Sequence, residues 1–509
     1  MSYRAWSGGR ARRVAAGTIR ATVIALVALA FGASAALAAH NTEIVTQGPL
    51  PANPPKHVAY FNTIQAAVEA TKAGDWVLIE AGVYNEEVKV TSAHSSIWIR
   101  GMNRNTVIID GKNEACKHSP CPEGPNGLEV VKANNVYVEN LTVRNFSREG
   151  KNGPGGNDIW WNGGASSNKI GAHGWWGRYL TAYDTGLNGG YGIFTNNETK
   201  GEWDKIYASG FNDSGMYLGA CQECRAVIKE ATMENSALGY SGSNSGGRLV
   251  IEKSIFRHNT DGIAPNGENP GDGPPPNDGQ CGRKNIEHPN PTPHIRATNI
   301  PRCSILRENL VTENDNLTAP TNGSTEKAPW GVGIELPGVY AYNVENNIIT
   351  NNPTNGILGF EYPNPFPPTT PEEEKEKGYG TIFFQLAGNR IANNQFSGNG
   401  SSGKAYAGDV TLEGGLFPMT GPVHPASTNN CLTGNTFADA TYPAKIQEGV
   451  LSCANLHTPN VNPNPGVLYY LLELQAESEG RTPVAQPAPP AQETMLNPCI
   501  EAPKSPLCP

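Results

Sequence analysis

Asp158, Asp184, Asp204, Asp213 and Asp261 fall in or near one Gly- and Trp-rich stretch of the chain. Two carboxyls a few Å apart, one protonated and one ionised, can hydrolyse a glycosidic bond. Five of the nine Trp lie between Trp160 and Trp203, with Tyr179, Tyr183, Tyr191, Tyr207 and Tyr217 nearby. Flat aromatic faces beside Asn, Asp and Arg suit pyranose rings, which offer an apolar C–H face and a hydroxyl rim. The candidate catalytic acids are therefore Asp184, Asp204, Asp213 and Asp261. The candidate binding residues are Trp160, Trp161, Trp175, Trp176, Arg178, Tyr183, Trp203 and His258. Each also has a plain structural reading. The Trp can fill a core or pack a loop, the Asp can be solvated turn acids or Asx-turn residues, and His258 can replace a rung in a polar ladder.

The elements that would position these residues repeat. Lys205–Tyr217, Ile228–Tyr240 and Ile251–Ile263 can be laid over one another with a step of 23 residues. In that register Tyr217, Tyr240 and Ile263 fall in line, as do Asn212, Asn235 and His258. A period in this range means stacked units, none able to bury its apolar face alone. Short β-branched and aromatic runs alternate with Asn, Gly and Ser, which predicts short strands joined by tight turns. Two or three strands per step, with no room for a helix, make one coil of a single-stranded, right-handed parallel β-helix. Equivalent positions on neighbouring coils then lie about 4.8 Å apart, close enough for acids on adjacent coils to meet. The pairs Asn134-Asn135, Asn346-Asn347, Asn351-Asn352 and Asn393-Asn394 predict amide ladders between coils.

Composition agrees with a turn-rich β protein of 509 residues: 17% charged, with 58 Gly and 41 Pro. The formal charge is −9. Met1–Ala38 carries five Arg and no acid, so the rest of the chain stands at −14 (33 basic against 47 acidic). Such a chain is a poor partner for nucleic acid or an anionic membrane, and an acidic substrate would need a local basic site or a bridging cation. Residues 1–38 read as an export signal, with an apolar run from Ala21 to Phe31 and Ala36-Leu37-Ala38 before the cut. Ten Cys, close in sequence as Cys116/Cys121, Cys221/Cys224, Cys281/Cys303, Cys431/Cys453 and Cys499/Cys508, suit local staples in an oxidising compartment. The expected layout is a lead-in over 39–58, a β-helix over 59–455 with insertions at 150–176, 266–301 and 363–378, and a helix and Pro-rich tail over 456–509. Leu468, Leu471, Leu472 and Leu474 predict a helix over Val467–Glu477 that closes the C-terminal end. No later segment is long and apolar enough to span a bilayer.

Thr63-Ile64-Gln65-Ala66-Ala67-Val68, Gly74-Asp75-Trp76-Val77-Leu78-Ile79, Gly82-Val83-Tyr84 and Glu87 together resemble the opening of pectin-lyase-like right-handed β-helix proteins. The resemblance spans roughly Tyr60–Cys453. It implies a short helix near Ile64–Ala70 capping the N-terminal end of the solenoid, whose apolar core and free backbone need cover. It does not fix the chemistry, because this scaffold carries lyases, hydrolases, esterases, epimerases and non-catalytic adhesins. Asn259-Thr260-Asp261-Gly262 resembles the motif around a catalytic Asp in polygalacturonase-type hydrolases. The Asp-Asp pair, Gly-His-Gly and Arg-Ile-Lys of that family are missing. The Gln-Asp and Asp-Phe segments of pectin methylesterases are missing too, as is the acid spacing of a calcium-dependent pectate lyase. The expectation is a secreted or cell-surface monomer that binds or cleaves a polysaccharide or cell-surface glycan, by hydrolysis or β-elimination. Calcium is the one cofactor that such chemistry would add. The alternative is a non-catalytic adhesion or structural solenoid.

Overall fold

The computed structural model describes residues 40–113, 125–147, 156–164, 169–221, 223–267, 304–321, 325–363, 369–377, 383–414, 429–449, 451–454 and 464–509. The expected export signal, Cys116/Cys121, Cys281/Cys303 and most of 266–301 lie outside them.

From Asn41 onward the chain winds into a right-handed parallel β-helix. One coil shows the pattern: Leu249–Glu252 lies in a first sheet, Ile255–Arg257 in a second and Asp261–Asn266 in a third. Each strand pairs in parallel with its equivalents one coil below and one above. The third sheet has 11 strands, running from Val88–Thr91 to Thr441–Tyr442. The first and second are continuous with each other, because the long strands Val136–Arg144 and Ala172–Tyr183 serve both.

The corners follow from backbone sterics. A sharp bend within one or two residues draws on the left-handed region, which Gly, Asn and a few polar residues tolerate best. Lys253 (φ 52°) turns the first sheet into the second, and His258 (φ 54°) turns the second into the third. Asn235, Glu313, Asn351 and Gly398 repeat the second corner at φ 57°, 53°, 56° and 68°. Beside each corner runs a buried amide ladder. Asn259, Asn314, Asn352 and Asn399 pass Nδ2–H to Oδ1 from coil to coil at 3.0–3.1 Å, and Asn399 donates in turn to Asp409 at 2.9 Å. Asn309, Asn347, Asn394 and Asn435 do the same at 2.9–3.0 Å. Of each Asn-Asn pair in these coils, the first residue makes the bend and the second is the rung.

Val88, Leu128, Ile159, Ile193, Met216, Tyr240, Ile263, Ile334, Ile357 and Val410 form one buried column of the third sheet. Here the 23-residue register needs correction. Tyr240 does stack on Ile263, but the place expected for Tyr217 is taken by Met216. Trp203 pairs with Ile228 and Ala208 with Met233, a longer step than the next one, from Ile228 to Ile251. The extra residues sit in the Gly210–Asp213 corner and in the corner holding the Cys221–Cys224 disulfide. Gly210 (φ 87°), not Asn212, therefore precedes Asn235 and His258 at the bend.

Helix α1, Ile64–Ala70, buries Ile64, Ala67 and Val68 against the first coil and is capped by the Thr63 side chain on Ala66 N–H. Thr42–Val45, in the expected lead-in, is a strand paired with Val58–Phe61 and Trp76–Ile79. The segment expected to break the repeat instead supplies the strands Gly156–Asn162 and Ala172–Tyr183. Helix α2, Pro371–Lys377, lies in the expected insertion at 363–378.

Helix α3, Pro465–Glu479, does not close the end. Its buried residues are Val467, Tyr470, Leu474 and Ser478, one stripe at helical spacing, while Leu472 is exposed. That stripe lies along the flank, on Val332, Leu358 and Phe360 of the third sheet. The tail then runs back toward the first coils as an ordered strap. Val484 N–H bonds Thr318 O, Glu493 meets Lys205, Met495 N–H bonds Asn140 Oδ1, and Arg100 donates to Pro498 O and Ile500 O. It ends in the Cys499–Cys508 disulfide, packed on Trp76 and Leu78.

Candidate functional site

Corners from the first to the second sheet hold at most five residues, 102–106. Every long connection leaves from or returns to an edge of the third sheet: 111–125, 145–155, 313–331 and 398–407 on one side, 267–303, 361–389 and 413–430 on the other. Variable connections on a rigid scaffold are where binding chemistry concentrates. The outer face of the third sheet is thus the floor on which a site can be built.

Side chains alternate across a strand, so the residue after each buried column member faces out. Along the coils these are Lys89, Glu129, Trp160, Phe194, Tyr217, Ser241, Ala264, Glu335, Leu358 and Thr411. Trp160 and Phe194 stack with centroids 4.9 Å apart and planes within 7°. Tyr191 packs on Phe194 at 4.6 Å, and Tyr217 meets Phe194 edge-on at 4.9 Å. Trp160 Nε1–H donates to Asn196 Oδ1 at 2.8 Å, and Asn162 Nδ2–H to Glu129 Oε1 at 2.9 Å. The result is an apolar strip three coils long, edged by amides and phenol groups.

The strip leads to a carboxyl pair. Asp261 opens its strand opposite Val332, and Glu335 lies on the next coil. Asp261 is fully buried and Glu335 nearly so. Burial first, then the charge of Glu335 and a hydrogen bond with it, push the Asp261 carboxyl well above its ordinary value. Ionised carboxylates only accept hydrogen bonds, so contact between the two is favourable only when one carries a proton. Thr260, the residue before Asp261, is held by Asn316, Gly331 and Arg481. Asn316 O accepts from Thr260 Oγ1, Gly331 N–H bonds Thr260 O, and Arg481 donates to Thr260 Oγ1. Glu335 continues the column of Trp160, and Asp261 lies in the neighbouring column with Leu238 and Val332.

The other expected acids do not converge on this pair. Asp204 is on the outer face of the first sheet, 3.4 Å from Lys229. Asp184 sits in a corner between the second and third sheets, where its carboxylate accepts Gly186 N–H; burial outweighs that bond and raises it to about 6. Asp158, fully buried, is raised by burial and then by Asp184. Asp213 occupies the corner of the following coil and accepts from Ser214 Oγ at 3.3 Å.

The Trp cluster separates into three groups. Trp161, Trp175 and Trp203 are fully buried in the solenoid core, where no ligand can reach them, so their platform role is withdrawn. Trp176 ends an outward stack on the first sheet, Trp76–Trp98–Tyr137–Trp176, whose far end the tail covers. Among the five, only Trp160 is on the third sheet's outer face, where it is 7% exposed. Arg178 is held by Glu139 at 2.5 Å and lies 3.6 Å from Glu501 of the tail. Tyr183, on the second sheet, accepts Arg144 Nη1–H at 2.6 Å. His258 makes its corner half-exposed, 3.7 Å from both Glu313 and Asp315. Among the described residues no three His, Cys, Asp or Glu side chains are grouped as metal ligands would be.

Glu335 was missed by sequence reasoning. Its signal was available: it follows Ile334 in Gly333-Ile334-Glu335-Leu336, an acid at the outward slot between two core positions.

No protein-family description matches the chain, and no curated protein is similar to it in sequence. Solved structures similar to it include the A-module of the mannuronan C-5 epimerase AlgE4 of Azotobacter vinelandii, at 10% identity and TM-score 0.40, covering 73% of this chain and 91% of that one. An alginate lyase of Paenibacillus sp. str. FPU-7 is similar at 12% identity and TM-score 0.33, covering 75% and 93%. The pectin methylesterase PemA of Erwinia chrysanthemi is similar at 11% identity and TM-score 0.34, covering 70% and 89%. Three disulfides, Cys221–Cys224, Cys431–Cys453 and Cys499–Cys508, fit an oxidising compartment. Among the described residues no helix is long and apolar enough to cross a membrane.

Proposed function

We propose that the protein is exported and acts on polysaccharide along the outer face of its third sheet. The observation that carries this is the continuity of one outward column. Trp160, Phe194 and Tyr217 give an apolar floor with amide and phenol groups beside it, and the same column reaches Glu335 against Asp261. Sugar rings need apolar contact together with hydrogen bonds, and this face offers both. A carboxyl pair holding one proton can give and take a proton at one place, the kind of group that general acid–base cleavage of a polysaccharide uses. Glu335 would exchange the proton with substrate, and Asp261 would set its protonation.

The test is binding and product release from a panel of plant and bacterial polysaccharides. Binding by the wild type that weakens about tenfold in Trp160→Ala, a loss near 1.4 kcal/mol, is expected. Product release should disappear in Glu335→Gln while binding persists. Binding without product release, unchanged in Glu335→Gln, would favour the non-catalytic adhesion reading. No binding to any polysaccharide removes the proposal.

A further inference from the structure

The tail meets the tube at two places of different chemistry. Its far end combines apolar burial with paired backbone groups. Cys508, Leu507 and Ala502, in the ring closed by the Cys499–Cys508 disulfide, pack with Trp76, Leu78 and Trp98 of the first coils. Arg100, fully buried, donates Nη1–H to Pro498 O and Ile500 O at 2.9 and 2.6 Å. Arg104, also buried, donates to Glu493 O at 3.0 Å, and Asn105 exchanges two 2.8 Å bonds with the backbone of Gln492. Asn140 Oδ1 accepts from Thr494 Oγ1 and from the N–H of Met495, whose side chain is buried.

The near end is held by hydrogen bonds at the surface. Arg481 donates to Thr260 Oγ1, Ser478 O and Thr325 O. Val484 N–H bonds Thr318 O, Asn316 Nδ2–H donates to Gln486 Oε1 at 3.3 Å, and Gln486 Nε2–H donates to Thr318 O at 3.1 Å. Val484, the aliphatic side chain here, stays 47% exposed. These bonds grip Thr260, next to Asp261, and the connection that carries Asn316, Thr318 and Thr325. A few such bonds barely offset the freedom lost in ordering residues 481–486. They hold once the chain beyond them is tied down, because the tether raises the effective concentration of the near end at its partners.

We propose that the tail is a clasp. Its ring latches on the first coils, and the latch keeps the near end on the Thr260 corner, beside the Asp261–Glu335 pair. With the ring undocked, Arg481, Val484 and Gln486 leave their partners, and the connection holding Asn316 and Gly331 loosens while the coils stay paired. The consequence for the carboxyl pair rests on the polysaccharide reading; the latch itself does not.

Hydrogen exchange of the full-length wild type tests the latch without any substitution. If the near end depends on the latch, every opening that frees Met495 N–H also frees Val484 N–H, so Val484 is protected no more strongly than Met495. Stronger protection of Val484 overturns the proposal. Opening the ring in Cys499→Ser/Cys508→Ser should speed exchange at least about tenfold at Met495, Val484 and Gly331 and leave the third-sheet strand Leu238–Ser243 unchanged. Faster exchange at Met495 alone overturns the link between the two ends, and no change at Met495 overturns the ring as the latch. On a polysaccharide that the wild type cleaves, the open-ring protein should lose product release at least about fivefold, and Arg481→Gln, whose ring stays docked, should lose as much. Full product release in both, with Gly331 loosened, overturns the consequence for the carboxyl pair. A wild type that acts on no polysaccharide removes the function proposed above and not the latch, which exchange alone decides.

Discussion

Arg100 Nε–H bonds Glu139 Oε2 at 2.5 Å, with the two side chains 0% and 2% exposed. Glu139 gives its other oxygen to Arg178. The pair begins a column on the outer face of the first sheet in which the sign of charge alternates at every rung: Arg100, Glu139, Arg178, Asp204, Lys229, Glu252, Arg307, Glu345. In-register parallel stacking places equivalent residues side by side, where like charges would repel. Alternation turns that liability into support for the register. Asp204 and Arg178 belong to this column and not to a catalytic site.

Glu139→Gln should therefore be costly. It leaves Arg100 buried with its charge uncompensated, and removing one partner of a buried pair typically costs 3–5 kcal/mol, about that much being expected here. Lys229→Gln, removing a partly exposed member, should cost about 1 kcal/mol or less. Urea unfolding of the two variants measures the difference. Equal costs would show that the column does not carry the charge burial argued for it.

The amide ladders give a second contrast between neighbours in sequence. Asn352 donates Nδ2–H to Asn399 Oδ1 at 3.0 Å and accepts from Asn314 at 3.0 Å, fully buried. Asn352→Ala removes the acceptor of Asn314 Nδ2–H and the donor to Asn399 Oδ1 and Val311 O, at about 1–3 kcal/mol for each buried group left unpaired. Asn351, exposed at φ 56°, should tolerate Gly with a change of a few tenths of a kcal/mol, because Gly adopts that bend freely. Thermal unfolding should rank Asn352→Ala far below Asn351→Gly.

Much of this is legible in the sequence. Short apolar runs between Asn- and Gly-rich turns fix strand and corner, and the Asn pairs mark the two corners with their rungs. What stayed hidden has a physical cause in each case. Tyr217 and Met216 are adjacent and both apolar in part, so a one-residue insertion in a corner moves the column by one without spoiling the pattern. Trp161, Trp175 and Trp203 look like ligand platforms by composition, but the interior of a tube also needs large flat side chains, and composition does not distinguish inside from outside. Glu335 meets Asp261 through pairing of strands 71 residues apart in sequence, across a connection that interrupts the 23-residue step. The tail's path is set by contacts with the first coils, almost 400 residues away, which no local pattern encodes.

Stability should fall as pH rises through the acid range, in part because of Asp184. Its carboxyl is raised from 3.8 to about 6 by burial. The folded state thus holds a proton that the unfolded chain releases above about pH 4. The favourable contribution is full below that pH, declines as pH climbs toward 6, and is gone beyond it. Asp158, raised for the same reason, acts in the same direction. Asp184→Asn, which cannot ionise but can still accept from Gly186, should flatten this part of the profile and be more stable than wild type above pH 6. Chemical unfolding at pH 4, 5, 6 and 7 checks this, and a variant curve parallel to wild type refutes it.

Trp203 and Trp160 provide the sharpest separation of core from site. Trp203 is fully buried, with Trp175 at 4.7 Å and Trp161 at 6.0 Å, so Trp203→Ala opens a large cavity in the tube. A loss of about 3–5 kcal/mol is expected, with exchange protection falling in the coils on either side. Trp160 lies on the outer face against Phe194, and its removal forfeits one stacked contact and the bond to Asn196 without hollowing the core. Trp160→Phe should keep most of the stability while losing the indole N–H, and Trp160→Ala should lose less stability than Trp203→Ala. Glycan affinity should follow the opposite order: Trp160→Ala weakens it at temperatures where both proteins remain folded, and Trp203→Ala does not. If the folded Trp203→Ala protein lost affinity as much as Trp160→Ala, the third sheet's outer face would no longer account for the binding.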